Sequence, residues 1–425
     1  MKLVFLFIIL SVVTIHNICA YPNPNNNQFN TINLVKRVNV NNNALDYVKR
    51  LRQGALNRYS ESNLQRLSSI SNAETSNDKT SSDTPAPNDI SGDSQASSSD
   101  TPTPTVNTMF IKSERQDESY YGKIIVGNQE FNVILDTGSS DLWVPNINCT
   151  SASCHNHNKF DPSKSTSFKP EGKPWNITYG SGSAAGFTGI ENIQIGNITA
   201  TGQIFEDEAD GILGLAFDEL NTLDNGAPTL ISTLIKQKNI DPIFSFHFSH
   251  FTDFDDQGTF ILGGVDESKY KGNITFTPVI SPKSKSIPNG FWVIKLGDAK
   301  ISGESLNISR DAIIDTGTTV ILVPIGDADT IHKKIPGSKL DELDGVYVIP
   351  CNTTAVVSLK FEGVDYDISV RDLLVLPADD TMCFSGIFPA SDSDIDFWLV
   401  GQTFLKGVYS AFDVGNKKVG FALSK

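Results

Sequence analysis

Hydrophobic and polar positions change period several times along the chain. Residues 1–20 hold Lys2, an apolar run from Leu3 to Ile15, and Cys19-Ala20 before Tyr21, the pattern of a secretory leader. The run is shorter than the ~20 residues a membrane-spanning helix needs. Between 21 and 73, Leu45, Val48, Leu51 and Leu56 recur at roughly helical spacing after Asn41-Asn42-Asn43, which reads as a helix start. Residues 74–107 are Ser, Thr, Pro and Asp with few apolar positions, so they read as a disordered linker. From Ser119 onward the period is that of β-structure, with short strands punctuated by Gly, Asn and Asp. Tyr121 to Gly127 is a strand meeting a turn, and Phe131 to Leu135 is the next strand. Trp175 to Gly186 reads as a hairpin with a Gly-rich tip. Its glycine spacing, and the strand that follows it, argue against a phosphate-cradling loop. One helix is signalled by Pro228 and the apolar residues 230, 231, 234 and 235.

One stretch occurs twice. Ile134-Leu135-Asp136-Thr137-Gly138-Ser139-Ser140-Asp141-Leu142-Trp143-Val144-Pro145 matches Ile313-Ile314-Asp315-Thr316-Gly317-Thr318-Thr319-Val320-Ile321-Leu322-Val323-Pro324. Each reads as a buried strand ending in Asp-Thr-Gly and turning into another apolar run. A single Asp-Thr-Gly arises by chance on the order of 0.1 times in a chain of this length, but matched flanks imply a duplicated unit. A second repeat lies roughly 80 residues beyond each Asp, in Asp210 to Ala216 and Phe397 to Gln402.

The residue types suit a shared two-carboxylate site. The glycines let two loops approach backbone to backbone. Two carboxylates held side by side cannot both ionise, so one keeps a proton. The charged one can take a proton from water while the protonated one polarises a carbonyl, which is hydrolysis without metal, cofactor or covalent intermediate.

Composition narrows the partners. The 425 residues carry a net charge of −15 with a pI near 4.8, which disfavours nucleic acid and anionic membranes. Residues 21–73 run against this trend, with seven Lys/Arg against Asp46 and Glu61, whereas residues 106–425 hold 25 Lys/Arg against 41 Asp/Glu. A basic segment can lie over an acidic body or remain a solvated arm. Cys19 leaves with the leader, so Cys149, Cys154, Cys351 and Cys383 remain, with three possible disulfide connectivities. A zinc set of Cys149, Cys154, His155 and His157 fits neither the usual spacing nor an oxidising compartment. Sequons begin at Asn148, Asn176, Asn197, Asn273, Asn307 and Asn352; Asn148 lies beside a cysteine and is the weakest acceptor.

On the paired motifs and their flanks, residues 118–425 resemble the pepsin-like aspartic endopeptidases, the family of pepsin, cathepsin D and secreted fungal aspartic proteases, in zymogen form. The resemblance implies an all-β, bilobal fold with the cleft between pseudo-symmetric lobes, here 108–280 and 281–425. It implies Asp136 and Asp315 as the catalytic pair, Thr137 and Thr316 interlocking the loops with Gly138 and Gly317, and Ser139 and Thr318 bonding the outer carboxylate oxygens. Tyr179, Gly180 and Ser181 would form the flap, with Trp143 as partner of Tyr179 and Ile212 as a substrate wall. Disulfides Cys149–Cys154 and Cys351–Cys383 are implied, one per lobe. Residues 21–73 become an inhibitory prosegment, one Lys or Arg pairing with the two Asp. Maturation is expected within 74–107 or near Met109-Phe110. The expected protein is a monomer acting on proteins and peptides, unanchored, and secreted or held in a vacuole- or lysosome-like compartment.

The chain departs from the family in three places. A disulfide found in some relatives just before the second Asp is absent. Gln402 replaces the usual acidic residue after the final Val-Gly. Only Glu206-Asp207-Glu208-Ala209 separates Phe205 from Asp210, where relatives carry a longer apolar wall, so a more open cleft is expected. The rival reading is a catalytically impaired relative that binds peptides or inhibits another protein.

Overall fold

The computed structural model describes residues 33–59, 107–114, 117, 119–151, 154–155, 157–179, 182–207, 211–223, 227–253, 256–284, 287–341, 345–390 and 395–425; at 33–43, 58, 114, 179, 182, 206 and 207 only the backbone is described. The leader and residues 60–106, with most of the Ser/Thr/Pro-rich linker, lie outside the described residues.

The body is all-β, in one 13-stranded sheet, one of five strands and two of four. Strands Ser119–Val126 and Gln129–Asp136 form a hairpin. Its two turn residues, Gly127 and Asn128, both have positive φ, as the tightest right-twisted hairpins require. Gln129–Asp136 then runs parallel to Ile212–Gly214, and Leu142–Val144 returns antiparallel to the same strand. The second half repeats the arrangement: Arg310–Ile314 is parallel to Trp398–Val400, with Ile321–Val323 antiparallel to it. The duplicated sequence is thus a duplicated β-unit, and each Asp leaves its strand where the parallel partner ends.

The long sheet joins strands from distant parts of the chain. Val408–Asp413 pairs with Ile243–His247, and Asn107–Glu114 lies between Gly258–Leu262 and Ser119–Val126. Under it Phe244 stacks on Phe412 at 5.0 Å, with Phe246, Phe260 and Trp292 in the same apolar mass. The Trp292 Nε1–H donates to Leu215 O at 2.9 Å, tying the two repeats together beneath the site. Met109 is buried in a strand paired on both edges. A cut at Met109-Phe110 would therefore break a central strand.

The signalled helix spans Leu230–Lys236, with the Thr229 side chain accepting from Ser232 N as its cap. The basic helix is longer than its start signal indicated, Asn33–Arg58, and runs through Asn41-Asn42-Asn43. Asn costs only a few tenths of a kcal/mol in a helix interior, so three of them do not enforce a start. Ala44, Val48, Leu51, Ala55 and Leu56 are buried in one cluster with Leu220, Ile287, Phe291, Phe388 and Phe397. The helix touches Lys169–Tyr179, Ile321–Val323 and Leu374–Pro377, strands of both halves. Arg52 Nε donates to Pro389 O at 3.2 Å.

Candidate active site

The two Asp-Thr-Gly loops meet back to back. Thr137 N donates to Thr316 Oγ1 at 3.0 Å and Thr316 N to Thr137 Oγ1 at 2.9 Å. Each hydroxyl then donates across the interface, Thr137 Oγ1 to Ile314 O at 2.8 Å and Thr316 Oγ1 to Leu135 O at 2.7 Å. A threonine hydroxyl is both donor and acceptor, and in these four bonds each hydroxyl acts as both. They satisfy buried backbone groups that neither loop could satisfy alone.

Both carboxylates are fully buried and hold matching partners. Gly138 N donates to Asp136 Oδ1 at 3.0 Å and Gly317 N to Asp315 Oδ1 at 2.8 Å. Ser139 Oγ donates to Asp136 Oδ2 and Thr318 Oγ1 to Asp315 Oδ2, each at 2.5 Å. Donation from N–H and O–H groups favours the charged form of a carboxylate, whereas burial disfavours it. Gly138 shows how closely the halves approach: a Cβ there would sit 2.6 Å from Asp315 Oδ1. Only glycine fits, and the Asp136 loop lies directly against the second carboxylate.

A residue from far upstream completes the site. Tyr59, which follows the N-terminal helix, is buried, and its hydroxyl donates to Asp315 Oδ2 at 2.9 Å. Its ring packs on Phe291 at 5.6 Å and Phe397 at 6.3 Å. The sequence pointed to a Lys or Arg in this place; among the described side chains Tyr59 is there, and the Arg58 side chain lies outside them. Tyr59 and Phe291 were not singled out because an aromatic near a strand or helix end reads as core; Phe397 stood out only as the first residue of the second repeat.

The hairpin Lys169–Tyr179 and Gly182–Ile195 forms with Tyr179 opposite Gly182. Gly180 and Ser181, like the Tyr179 side chain, lie outside the described residues, and so does any bond from Tyr179 to Trp143. Trp143 is buried with Trp175, Ile177 and Leu223, and Ile212 packs against that cluster half-buried. Trp175, also not singled out, donates Nε1–H to Thr222 Oγ1 at 2.7 Å, and Thr222 in turn bonds Asp141 Oδ1. The strand Ile198–Asp207 takes up Glu206 and Asp207, paired parallel with Trp143 and Val144. Residues 208–210 of the short connection lie outside the described residues.

Two disulfides close, Cys149–Cys154 and Cys351–Cys383. The first consumes both thiolates of the zinc alternative. All six sequon asparagines are exposed. No helix among the described residues is long and apolar enough to cross a membrane.

Two buried ionisable groups in the second half respond to acid differently. The His332 ring stacks on Tyr347 at 3.8 Å, its Nδ1 lies 2.7 Å from Ala328 O and its Nε2 2.9 Å from Ser385 Oγ. Burial lowers its pKa to about 4. A carbonyl only accepts, so neutral His332 carries its proton on Nδ1 and accepts at Nε2. Burial pushes Asp372 upward, but His250 at 2.7 Å and Lys406 at 3.0 Å outweigh it and hold the carboxyl at about 2.

Two interlocked carboxylate loops on a duplicated β-unit define a hydrolase of the aspartyl class. The eukaryotic aspartyl protease family model matches residues 119–424. The chain is 35% identical to pepsin A of Sus scrofa over 331 residues, 72% of this chain and 81% of the relative. It is 33% identical to cathepsin E of Aquarana catesbeiana over 328 residues (72% and 79%) and 33% identical to rhizopuspepsin of Rhizopus chinensis over 334 residues (75% and 81%). The chain belongs to the eukaryotic aspartyl protease family: it is an aspartic-type endopeptidase with the bilobal pepsin-like fold.

Proposed function

We propose that Asp136 and Asp315 activate a water molecule between them for attack on an internal peptide bond at acid pH, one as base and the other as acid. The observation that carries this reading is the matched cradle of the two carboxylates, each with a glycine N–H on Oδ1 and a hydroxyl on Oδ2. Splitting of such a pair into one charged and one protonated member is established for aspartic proteases. Thr137 and Thr316 lock the loops, and Gly138, Gly317, Ser139 and Thr318 tune the carboxylates. Tyr179, Gly180 and Ser181 close over an extended substrate, with Trp143 and Ile212 along the wall. The short 206–209 connection supplies no large apolar wall, so the cleft on that side is more open and takes varied apolar residues.

Residues 1–20 direct secretion, or entry to a vacuole- or lysosome-like compartment. Residues 21–73 act as the chain's own inhibitor, with Tyr59 at Asp315 as its plug. The enzyme works as a monomer of lobes 108–280 and 281–425, with glycans drawn from Asn176, Asn197, Asn273, Asn307 and Asn352. Both carboxylates and all four flanking hydroxyls are present, so nothing favours a catalytically impaired binder.

Hydrolysis of a denatured protein at acid pH, with and without a statine-type transition-state inhibitor, tests the reading. Inhibitor-sensitive cleavage supports it; no cleavage by the processed chain at any pH between 2 and 7 rejects it.

A further inference from the structure

We infer that Gln402 is a positioning residue that biases the shared negative charge of the pair toward Asp315, acting through the single peptide unit Thr316–Gly317. The inference rests on the reading of Asp136 and Asp315 as the catalytic pair.

Gln402 is fully buried, and its Nε2–H donates to Thr316 O at 2.8 Å. A carbonyl only accepts, so the amide's orientation is fixed by its partner. Its Oε1 meets no partner among the described residues. A buried acceptor left unmade costs stability, so the fold retains this side chain for its donor end.

At the other end of the same peptide, Gly317 N–H donates to Asp315 Oδ1 at 2.8 Å. A hydrogen bond received at the carbonyl polarises the peptide and strengthens its N–H as a donor. A stronger donor favours the ionised carboxylate. The chain of contacts therefore runs from the Gln402 amide, through one peptide, to Asp315.

The other half lacks this device. Asp136 aligns with Gly214 and Ile314 with Val400, so Leu215 occupies the position equivalent to Gln402. A leucine side chain has no donor for the Thr137 carbonyl. The glycine N–H and hydroxyl contacts that each loop gives its own carboxylate match, and the layer behind them does not.

Other charges near Gln402 are accounted for. Its helix, Gln402–Leu405, packs against Val370–Leu373, Ile321–Val323, Trp398–Val400 and Val408–Asp413. Of these, the second and third carry no titratable side chain. Asp372 is held by His250 and by Lys406, which follows the helix; Arg371 pairs with Asp253, Tyr409 bonds Ser245, and Asp413 bonds Asn416. Among the described residues, these are the ionisable side chains on the elements packed against this helix, and each has a partner of its own.

The test is the pH dependence of kcat/KM for the processed enzyme as wild type and as Gln402→Met, Gln402→Asn and Gln402→Glu. Active sites are titrated with a statine-type inhibitor, so misfolded protein does not count. Methionine keeps the volume and removes the donor; asparagine withdraws it by one methylene. Either should move the acid limb upward by roughly 0.3–0.6 pH unit. Glutamate is protonated at those pH values and donates to Thr316 O, so its acid limb should lie on that of the wild type. Should the methionine variant not fold, the asparagine variant carries the same comparison. Acid limbs of the donor-deficient variants that coincide with wild type overturn the inference, as does a glutamate variant that shifts with them. Wild-type turnover is the separate control for the catalytic reading, so failure of one is distinguishable from failure of the other.

Discussion

Tyr59 and Asp315 are 256 positions apart in the chain and hydrogen-bonded at 2.9 Å, the phenol donating to the outer carboxylate oxygen. The Thr318 hydroxyl donates to the same oxygen. A side chain from outside the family-matched region thus contacts the second carboxylate directly.

Removing this contact should weaken inhibition. A peptide of residues 33–59 added to processed enzyme is expected to inhibit it, and Tyr59→Ala to raise its inhibition constant about 100- to 1000-fold, given the roughly 1.5–3 kcal/mol of aromatic burial lost together with the hydrogen bond. Tyr59→Phe keeps the ring and should cost about 10-fold, the value of a hydrogen bond to a charged group. Equal inhibition by all three peptides, measured at one pH, would show that the plug is incidental.

Asp136→Asn and Asp315→Asn should each lower kcat by at least about 10³-fold while leaving the melting temperature near that of wild type. Each amide removes one half of an acid–base couple; its oxygen can still accept from the glycine N–H, while its NH2 donates to the neighbouring hydroxyl, which turns to accept. Turnover within tenfold of wild type in either purified variant would remove that residue from the pair.

The processed enzyme should begin at or before Asn107. The strand Asn107–Glu114 is paired on both edges, and the Asn107 side chain donates to Ile195 O at 2.7 Å. Removal of the strand would expose two rows of unpaired backbone groups. N-terminal sequencing of acid-processed protein checks this; a start after Ile111 with full activity would contradict it.

Acid stability should carry opposite signatures from two residues. The His332 pKa falls from 6.5 to about 4 on folding, so the unfolded chain binds the extra proton between those values. Its contribution is complete above pH 6.5 and is lost as pH falls toward 4, on the order of 3 kcal/mol. His332→Asn, which can still donate to Ala328 O, should flatten the decline in melting temperature over that window. Asp372 is depressed from 3.8 to about 2, so its contribution persists above 3.8 and is lost only as pH falls through 2. Asp372→Asn should therefore cost stability at pH 4 and pH 7 alike, and little at pH 1.5. Parallel melting curves for His332→Asn and wild type from pH 7 to 4 would exclude the histidine effect.

Much of the site was legible from local pattern, because a tight Asp-Thr-Gly turn between apolar strands constrains residue type at every position. The Thr137–Thr316 lock was implied by the resemblance to the family, once the duplication had paired the two loops. Tyr59 was not legible: its partner lies in another half of the fold, and nothing local distinguishes a tyrosine after a helix from core. The Asn41-Asn42-Asn43 start was misleading because asparagine disfavours a helix interior only weakly. Gln402 stood out only as a departure, since its role depends on a carbonyl 86 residues away.

The position of Tyr59 also sets an order of events during synthesis. Chains fold from the N-terminus as they emerge, and Asp315 leaves the ribosome 256 residues after Tyr59. The second carboxylate therefore reaches its partner when the group that covers it has already been made. On the proposed inhibitory role of residues 21–73, the blocking group is older than the active site it covers in every newly made chain.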